Sequence, residues 1–153
     1  MDPSIVEFIE KKENASTADV INILNKKSGV LGLSSDLSSD FRDLEQGVKE
    51  NNAGAKRAID GFVYRVVKYI GAYAAAMDGV DVICFTAGVG ENSVFVREQI
   101  IKRRGYLGIT LDEAANDVRG EERLVSTADS KVSVYVVPTN EELAIARDTA
   151  ALV

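Results

Sequence analysis

The stretch VDVICFTAGVGENSVFVREQI, residues 80–100, decides the fold. It begins with an apolar run, VDVICF (80–85), rich in β-branched residues, as in a strand buried on both faces. It ends in a segment with helical spacing, expected over 93–104. Between them lie two glycines, an acid and an amide. A second unit of the same kind follows. SKVSVYVVP (130–138) reads as a strand stopped by Pro138, and ELAIARDTAALV reads as a helix to the end of the chain. Thr139 and Glu142 have the spacing of a capping box between them, as do Thr110 and Glu113 for a short helix near 112–119. Two strand–turn–helix units predict parallel pairing within an α/β fold.

Upstream, the chain reads as helices. Residues 4–12 form a short one, and Ser16 or Thr17 caps a second over 17–27. SGVLGLSSDLSSD (28–40) reads as an ordered loop, and Asp40 caps a helix over 41–51. From Ala53 to Met77, apolar residues at Ile59, Phe62, Val63, Val66, Val67, Ile70, Ala74 and Met77 recur with helical period, predicting a long helix with a broad buried stripe. A buried parallel sheet needs more than two strands, and few others are offered. Either something outside the sequence completes the sheet or another chain does.

Composition narrows the function. The chain has 153 residues, enough for one domain over 1–153, and a net charge of −6, so it has no electrostatic footprint for nucleic acid or an anionic membrane. No apolar run is long enough to span a bilayer. The N-terminus has no basic region of the signal-peptide kind. The single cysteine, Cys84, falls within the apolar strand and is expected to pack there in a reducing cytoplasm. Histidine is absent, which removes the commonest general base and transition-metal ligand. Carboxylates, arginines, lysines, backbone amides and a hard metal such as Mg²⁺ remain.

Three motifs could carry chemistry. In TAGVGENS (86–93), Gly88 and Gly90 would let a phosphate or nucleoside lie close to the backbone at a helix start. The same residues could equally form a tight turn capped by Asn92 or Ser93. It is not a Walker A loop, and Ser93 occupies the third glycine position of a dinucleotide fingerprint. In PTNEEL (138–143), Glu141 and Glu142 could simply complement a helix dipole, or one could serve Mg²⁺ at a strand end. In SSDFRDLE (38–45), Asp40 could take ribose hydroxyls, Phe41 could pack an adenine and Arg42 could meet a phosphate, or all three could be an ordinary capped helix start. KRRG (102–105) reads as a basic helix end with Gly105 as cap, and Arg65 and Lys68 as a solvated helix face.

Together and in this order, SGVLGLS…SSDFRDLE, FTAGVGENS and VVPTNEELAIARDT resemble the C-terminal part of acetate kinases, over essentially the whole chain. GVGENS and PTNEEL are shared with the propionate and butyrate kinase relatives. The resemblance implies part of an actin–hexokinase–Hsp70 (ribonuclease H-like) fold, helix-rich with a small parallel sheet. It implies that Asp40, Phe41, Arg42, Gly88, Val89, Gly90 and Asn92 hold the nucleotide and that Glu141 helps hold Mg²⁺. It further implies ATP and ADP as ligands, a homodimer in the cytoplasm, and a short-chain carboxylate as phosphoryl acceptor. The catalytic residues of such kinases lie upstream of the matching segment, so none is expected here, and the chain alone is expected to be inactive. A non-catalytic interaction module built on the long helix is the competing reading.

Overall fold

The computed structural model describes residues 2–103 and 105–152. Its contacts cluster into two compact units, Met1–Phe62 and Val63–Val153. The first unit is helical. α1 (Ser4–Glu13) ends where Asn14 turns left-handed, and α2 (Thr17–Lys26) starts with a complete capping box between Ser16 and Asp19. The stretch expected as a loop contains one short helix, α3 (Gly29–Leu33), and Ser34 is buried behind it, donating its hydroxyl to the Leu31 carbonyl. α4 (Phe41–Lys49) starts at Asp40 as expected, whose side chain accepts from the Arg42 amide. α5 (Ala53–Ala76) is the long helix and runs from the first unit into the second. Arg57 donates to the Leu33 carbonyl at 2.7 Å and to Ser35, tying the start of α5 to the loop after α3.

The α5 stripe is buried at Ile59, Val63, Val67 and Ala74 but not at Met77, which is 63% exposed. The helix stops at Ala76; Met77 still donates its amide to the Tyr73 carbonyl at 2.9 Å, but Asp78 and Gly79 take positive φ just beyond it and end the stripe there.

The second unit carries the sheet. β1 (Val82–Phe85), β2 (Arg123–Leu124) and β3 (Ser133–Val136) lie in the order β1-β3-β2. β1 and β3 are parallel, as the two strand–turn–helix units predict, in register from Val82 opposite Ser133 to Phe85 opposite Val136. β2 adds an antiparallel edge, which the sequence reading does not anticipate, because two residues are too few to show an alternation. Val134 and Val136 are fully buried in the central strand. β1 departs from expectation: Val82 and Cys84 are exposed and only Phe85 is buried. Cys84 is therefore not a core residue. β1 is an edge strand, and among the described residues nothing pairs with its outer side or covers its Val82–Cys84 face.

The remaining elements of this unit are α6 (Ala87–Asn92), α7 (Val94–Lys102), a 3-10 turn at Gly105–Leu107, α8 (Glu113–Asn116) and α9 (Glu141–Ala151). Two expected caps are displaced. α8 is capped by Asp112 rather than Thr110, since only Asp112 reaches the Ala115 amide. α9 is capped by Asn140, which accepts from Leu143, while Thr139 bonds elsewhere. α7 ends with Arg103 as its cap, so Gly105 opens the next turn instead.

Gly54 marks a close approach. A Cβ there would lie 2.4 Å from the Ser34 carbonyl oxygen, a backbone atom that cannot swing away. Gly54→Ala should therefore destabilise the chain by about 1–3 kcal/mol, despite alanine's better helix propensity. Urea denaturation of the variant beside the native chain measures this.

Candidate nucleotide site

The strand ends build the site. β1 and β3 are parallel and end level, and the ladder continues past them where the Val137 amide donates to the Phe85 carbonyl at 2.8 Å. Both following turns thus leave the same end of the sheet, where α/β folds bind ligands. After β1, Ala87 takes φ +58 and swings the chain away from the strand. A left-handed alanine is costly, of the order of 1 kcal/mol, and such residues cluster at ligand sites. The sequence does not disclose it, because glycines sit next door at Gly88 and Gly90.

Those glycines have different duties. Both lie in α6 with ordinary helical backbone. A Cβ on Gly90 would press on the Phe85 backbone carbon at 3.2 Å, so Gly90 allows α6 to pack on the end of β1. A Cβ on Gly88 would meet nothing within 4 Å. No packing requirement accounts for Gly88, whose bare backbone faces open space. Val89 is half-buried, and the Asn92 side-chain amide donates back to the Gly88 carbonyl at 2.9 Å. Ser93, not Asn92, caps α7 by accepting from the Val96 amide.

Beneath this turn lies Arg97, fully buried. Its Nη1 donates to the carbonyls of Gly90 (2.9 Å) and Glu91 (3.0 Å). Its Nη2 donates to the carbonyls of Asn116 and Val118, both at 2.7 Å, and its Nε to Asn116 Oδ1 at 2.9 Å. The guanidinium thus gathers the free carbonyls at the ends of α6 and α8. Burial, then the neighbouring Arg119, lower its pKa, while Asp117 opposes them. Sequence reading places a helix here and misses this role, since an arginine in VFVREQI reads as a solvent-facing position.

The second turn is joined to the first by Glu91. Its Oε1 accepts from the Thr139 amide at 2.8 Å and the Thr139 hydroxyl at 2.9 Å. These bonds, with a smaller contribution from the Ala87 amide, hold the Glu91 carboxyl below the usual carboxylate range. Glu141 follows in the first turn of α9 and is exposed. Among the described residues no three His, Cys, Asp or Glu side chains cluster to hold a metal ion. A single exposed carboxylate fits Mg²⁺ that keeps most of its waters and takes phosphate oxygens as further ligands, and does not make an all-protein cage.

In the first unit, Asp40 and Arg42 form a forked pair, with Arg42 Nη2 2.6 Å from Asp40 Oδ2 and Nε 3.1 Å from Oδ1. The Arg42 side chain is 90% exposed. Phe41 is half-buried, edge-on to Phe62 at 4.7 Å between ring centroids. Asp40, Phe41 and Arg42 are thus adjacent and ordered within their unit, and Gly88, Val89, Gly90, Asn92 and Glu141 surround two joined turns within the other.

The Arg42 side chain and amide lower the Asp40 pKa from 3.8 to about 2. Because the folded value is the depressed one, the cap's contribution is present above about pH 4 and is lost as pH falls through about 2. A carbon-13 NMR titration of Asp40 should show its midpoint near 2, moving toward the ordinary range in Arg42→Ala. Arg97→Met should destabilise the chain by at least about 3 kcal/mol, since several buried carbonyls each cost about 1–3 kcal/mol when unpaired. Chemical denaturation of that variant is the measurement.

The model of the acetokinase family matches residues 1–147. The acetate kinase of Agathobacter rectalis is 62% identical over the whole of this chain, and that of Thermosipho melanesiensis 58%. The chain spans 38% of the length of each of these relatives. Among solved structures, the acetate kinase of Porphyromonas gingivalis superposes with a TM-score of 0.91 at 45% identity, covering 99% of this chain and 38% of its own. A propionate kinase from Francisella tularensis superposes with a TM-score of 0.85 at 34% identity, covering 95% of this chain and 36% of its own.

Proposed function

We propose a function from one premise: the chain belongs to the acetokinase family. In this reading it is the nucleotide-binding portion of an acetate kinase. The observation that carries the reading is the exposed Gly88 backbone at the level ends of two parallel strands, joined through Glu91 to the turn that bears Glu141. ADP or ATP would lie against Gly88, Val89, Gly90 and Asn92; Asp40, Phe41 and Arg42, in the other unit, are proposed separately as nucleoside-binding residues on the strength of the family resemblance alone. Phe41 offers an aromatic edge already fixed by Phe62, and Asp40 offers a carboxylate ionised throughout the physiological range.

In the full reaction, a carboxylate oxygen of acetate attacks the γ-phosphorus of ATP, the bond to the β–γ bridging oxygen breaks, and acetyl phosphate and ADP result. Mg²⁺, when bound, neutralises charge on the phosphates. This chain's part is to bind the nucleoside, orient its phosphates from the helix-start amides and offer Glu141 to the metal. The groups that act on the acyl substrate belong, in this reading, to the part of the relatives' length that the chain does not span. Acetate is taken as the acceptor from the acetate kinases that the chain matches over its whole length, while the groups that choose among acetate, propionate and butyrate belong to the part not spanned. No helix of the described residues is long and apolar enough to cross a membrane, and a cytoplasmic location accords with this chemistry.

Self-association is a second part of the reading. α5 presents Tyr64, Tyr69 and Tyr73, each more than half exposed, with Arg65 over the Tyr69 ring and Lys68 over Tyr64. Three exposed tyrosines on one helix, of which Tyr69 and Tyr73 stack on each other, favour a homodimer and would also suit a non-catalytic interaction module.

Calorimetric titration of the chain with MgATP tests the reading. Gly88→Ala should leave the unfolding free energy unchanged or raise it by up to about 1 kcal/mol, since its Cβ meets nothing and alanine suits a helix better, yet weaken nucleotide binding. Gly90→Ala should lower stability. Absence of binding by folded native chain, or binding that Gly88→Val leaves intact, would contradict it. The chain alone should show no acetate-dependent turnover of ATP.

A further inference from the structure

Glu91 is an acid with a job that neither packing nor the helix it sits in explains. Its main chain is already fixed, with its carbonyl accepting from Arg97 Nη1 and, at 3.4 Å, from the Gly120 amide. Its side chain leaves α6 and crosses to Thr139, 48 residues away in sequence. There it takes both donors that Thr139 has. By sequence Thr139 is the cap of α9, but Asn140 performs that duty, and so the Thr139 amide and hydroxyl are both available to one carboxylate oxygen. Thr139 stands two residues before Glu141, and Glu91 stands one residue before Asn92 and three after Gly88. One side chain therefore links the turn proposed to hold nucleotide to the turn proposed to hold metal.

We propose that Glu91 is a positioning residue that couples the two: it sets the β3–α9 turn, and with it Glu141, against the α6 turn, so that Mg²⁺ strengthens nucleotide binding only while the link is intact. This inference rests on the function proposed above. Glu91 touches neither ligand in this account. Its carboxylate is committed to Thr139, with the Ala87 amide as a further donor, and no metal is assigned to it.

The test is ADP affinity of the chain with and without Mg²⁺, measured by calorimetry. In the native chain Mg²⁺ should tighten ADP binding about tenfold, within the range usual for coupled sites. Glu91→Ala should reduce that enhancement to about onefold while ADP alone still binds. Glu91→Gln, which keeps an acceptor oxygen toward Thr139, should restore most of it, a rescue that loss of folding would not show. Thr139→Val, which removes only the hydroxyl, should lie between, and it serves if Glu91→Ala does not fold. Undiminished Mg²⁺ enhancement in Glu91→Ala or, failing that variant, in Thr139→Val overturns the coupling while leaving the nucleotide site standing. A folded native chain that binds no ADP overturns the proposed function, and this inference with it.

Discussion

A single buried cation organises the candidate site. Arg97 spends its hydrogen bonds on the carbonyls of Gly90, Glu91, Asn116 and Val118 and on the Asn116 side chain. Helix ends leave carbonyls without intrahelical partners, and buried ones must find a donor. α6 and α8 are both too short to satisfy their own, at six and four residues. The guanidinium, with several donors in a rigid plane, serves both ends at once. Asn116 is braced in turn by donating to the Val94 carbonyl. Without this anchor α6 has no reason to stop where it does, and the Gly88 backbone and the Glu91 side chain lose their fixed positions. The turn is thus presented by a rigid support rather than by its own sequence, as ligand sites require.

The sequence made the element types legible and the internal wiring much less so. The 3.6-residue period of α5 and the apolar runs of β1 and β3 reflect burial, which leaves a mark on residue type. Parallel pairing followed from two strand–turn–helix units. The antiparallel β2 did not, because pairing of two residues depends on register with a strand far along the chain. The cap at Asp40 was readable outright, those at Ser16 and Ser93 were each one of two adjacent candidates, and those expected at Thr110 and Thr139 were misread. Asn140 displaced Thr139 because Glu91 claims Thr139, and no local rule contains Glu91. Cys84 and Val82 read as core because apolar residues in a strand usually are, yet among the described residues no layer covers the face of β1 that carries them.

The candidate site shows the same division. Residue chemistry and the family resemblance together pointed to Gly88, Val89, Gly90, Asn92, Glu141 and the Asp40–Arg42 segment. Geometry then separates residues that look alike. Gly90 is a glycine because α6 presses on Phe85, whereas Gly88 has no such neighbour. Asn92 ties down the Gly88 carbonyl, so it stiffens the turn from within. Arg97, which holds the turn in place, lies outside GVGENS, and Glu91 lies inside it with nothing in its spacing to show that it reaches Thr139. An invisible long-range hydrogen bond is what distinguishes each from a surface charge.

Arg97 supports the turn after β1, which is proposed as a preformed nucleotide surface. Amide chemical shifts of the isotopically labelled chain, recorded as MgADP is added, test it most directly. Perturbation is expected to centre on Gly88 to Asn92 and on Thr139 to Glu141, with little change at Tyr64, Tyr69 and Tyr73 of α5. Shifts confined to Tyr64, Tyr69 and Tyr73, or no shifts at saturating nucleotide in a chain that remains folded, would show that this turn is not the nucleotide surface.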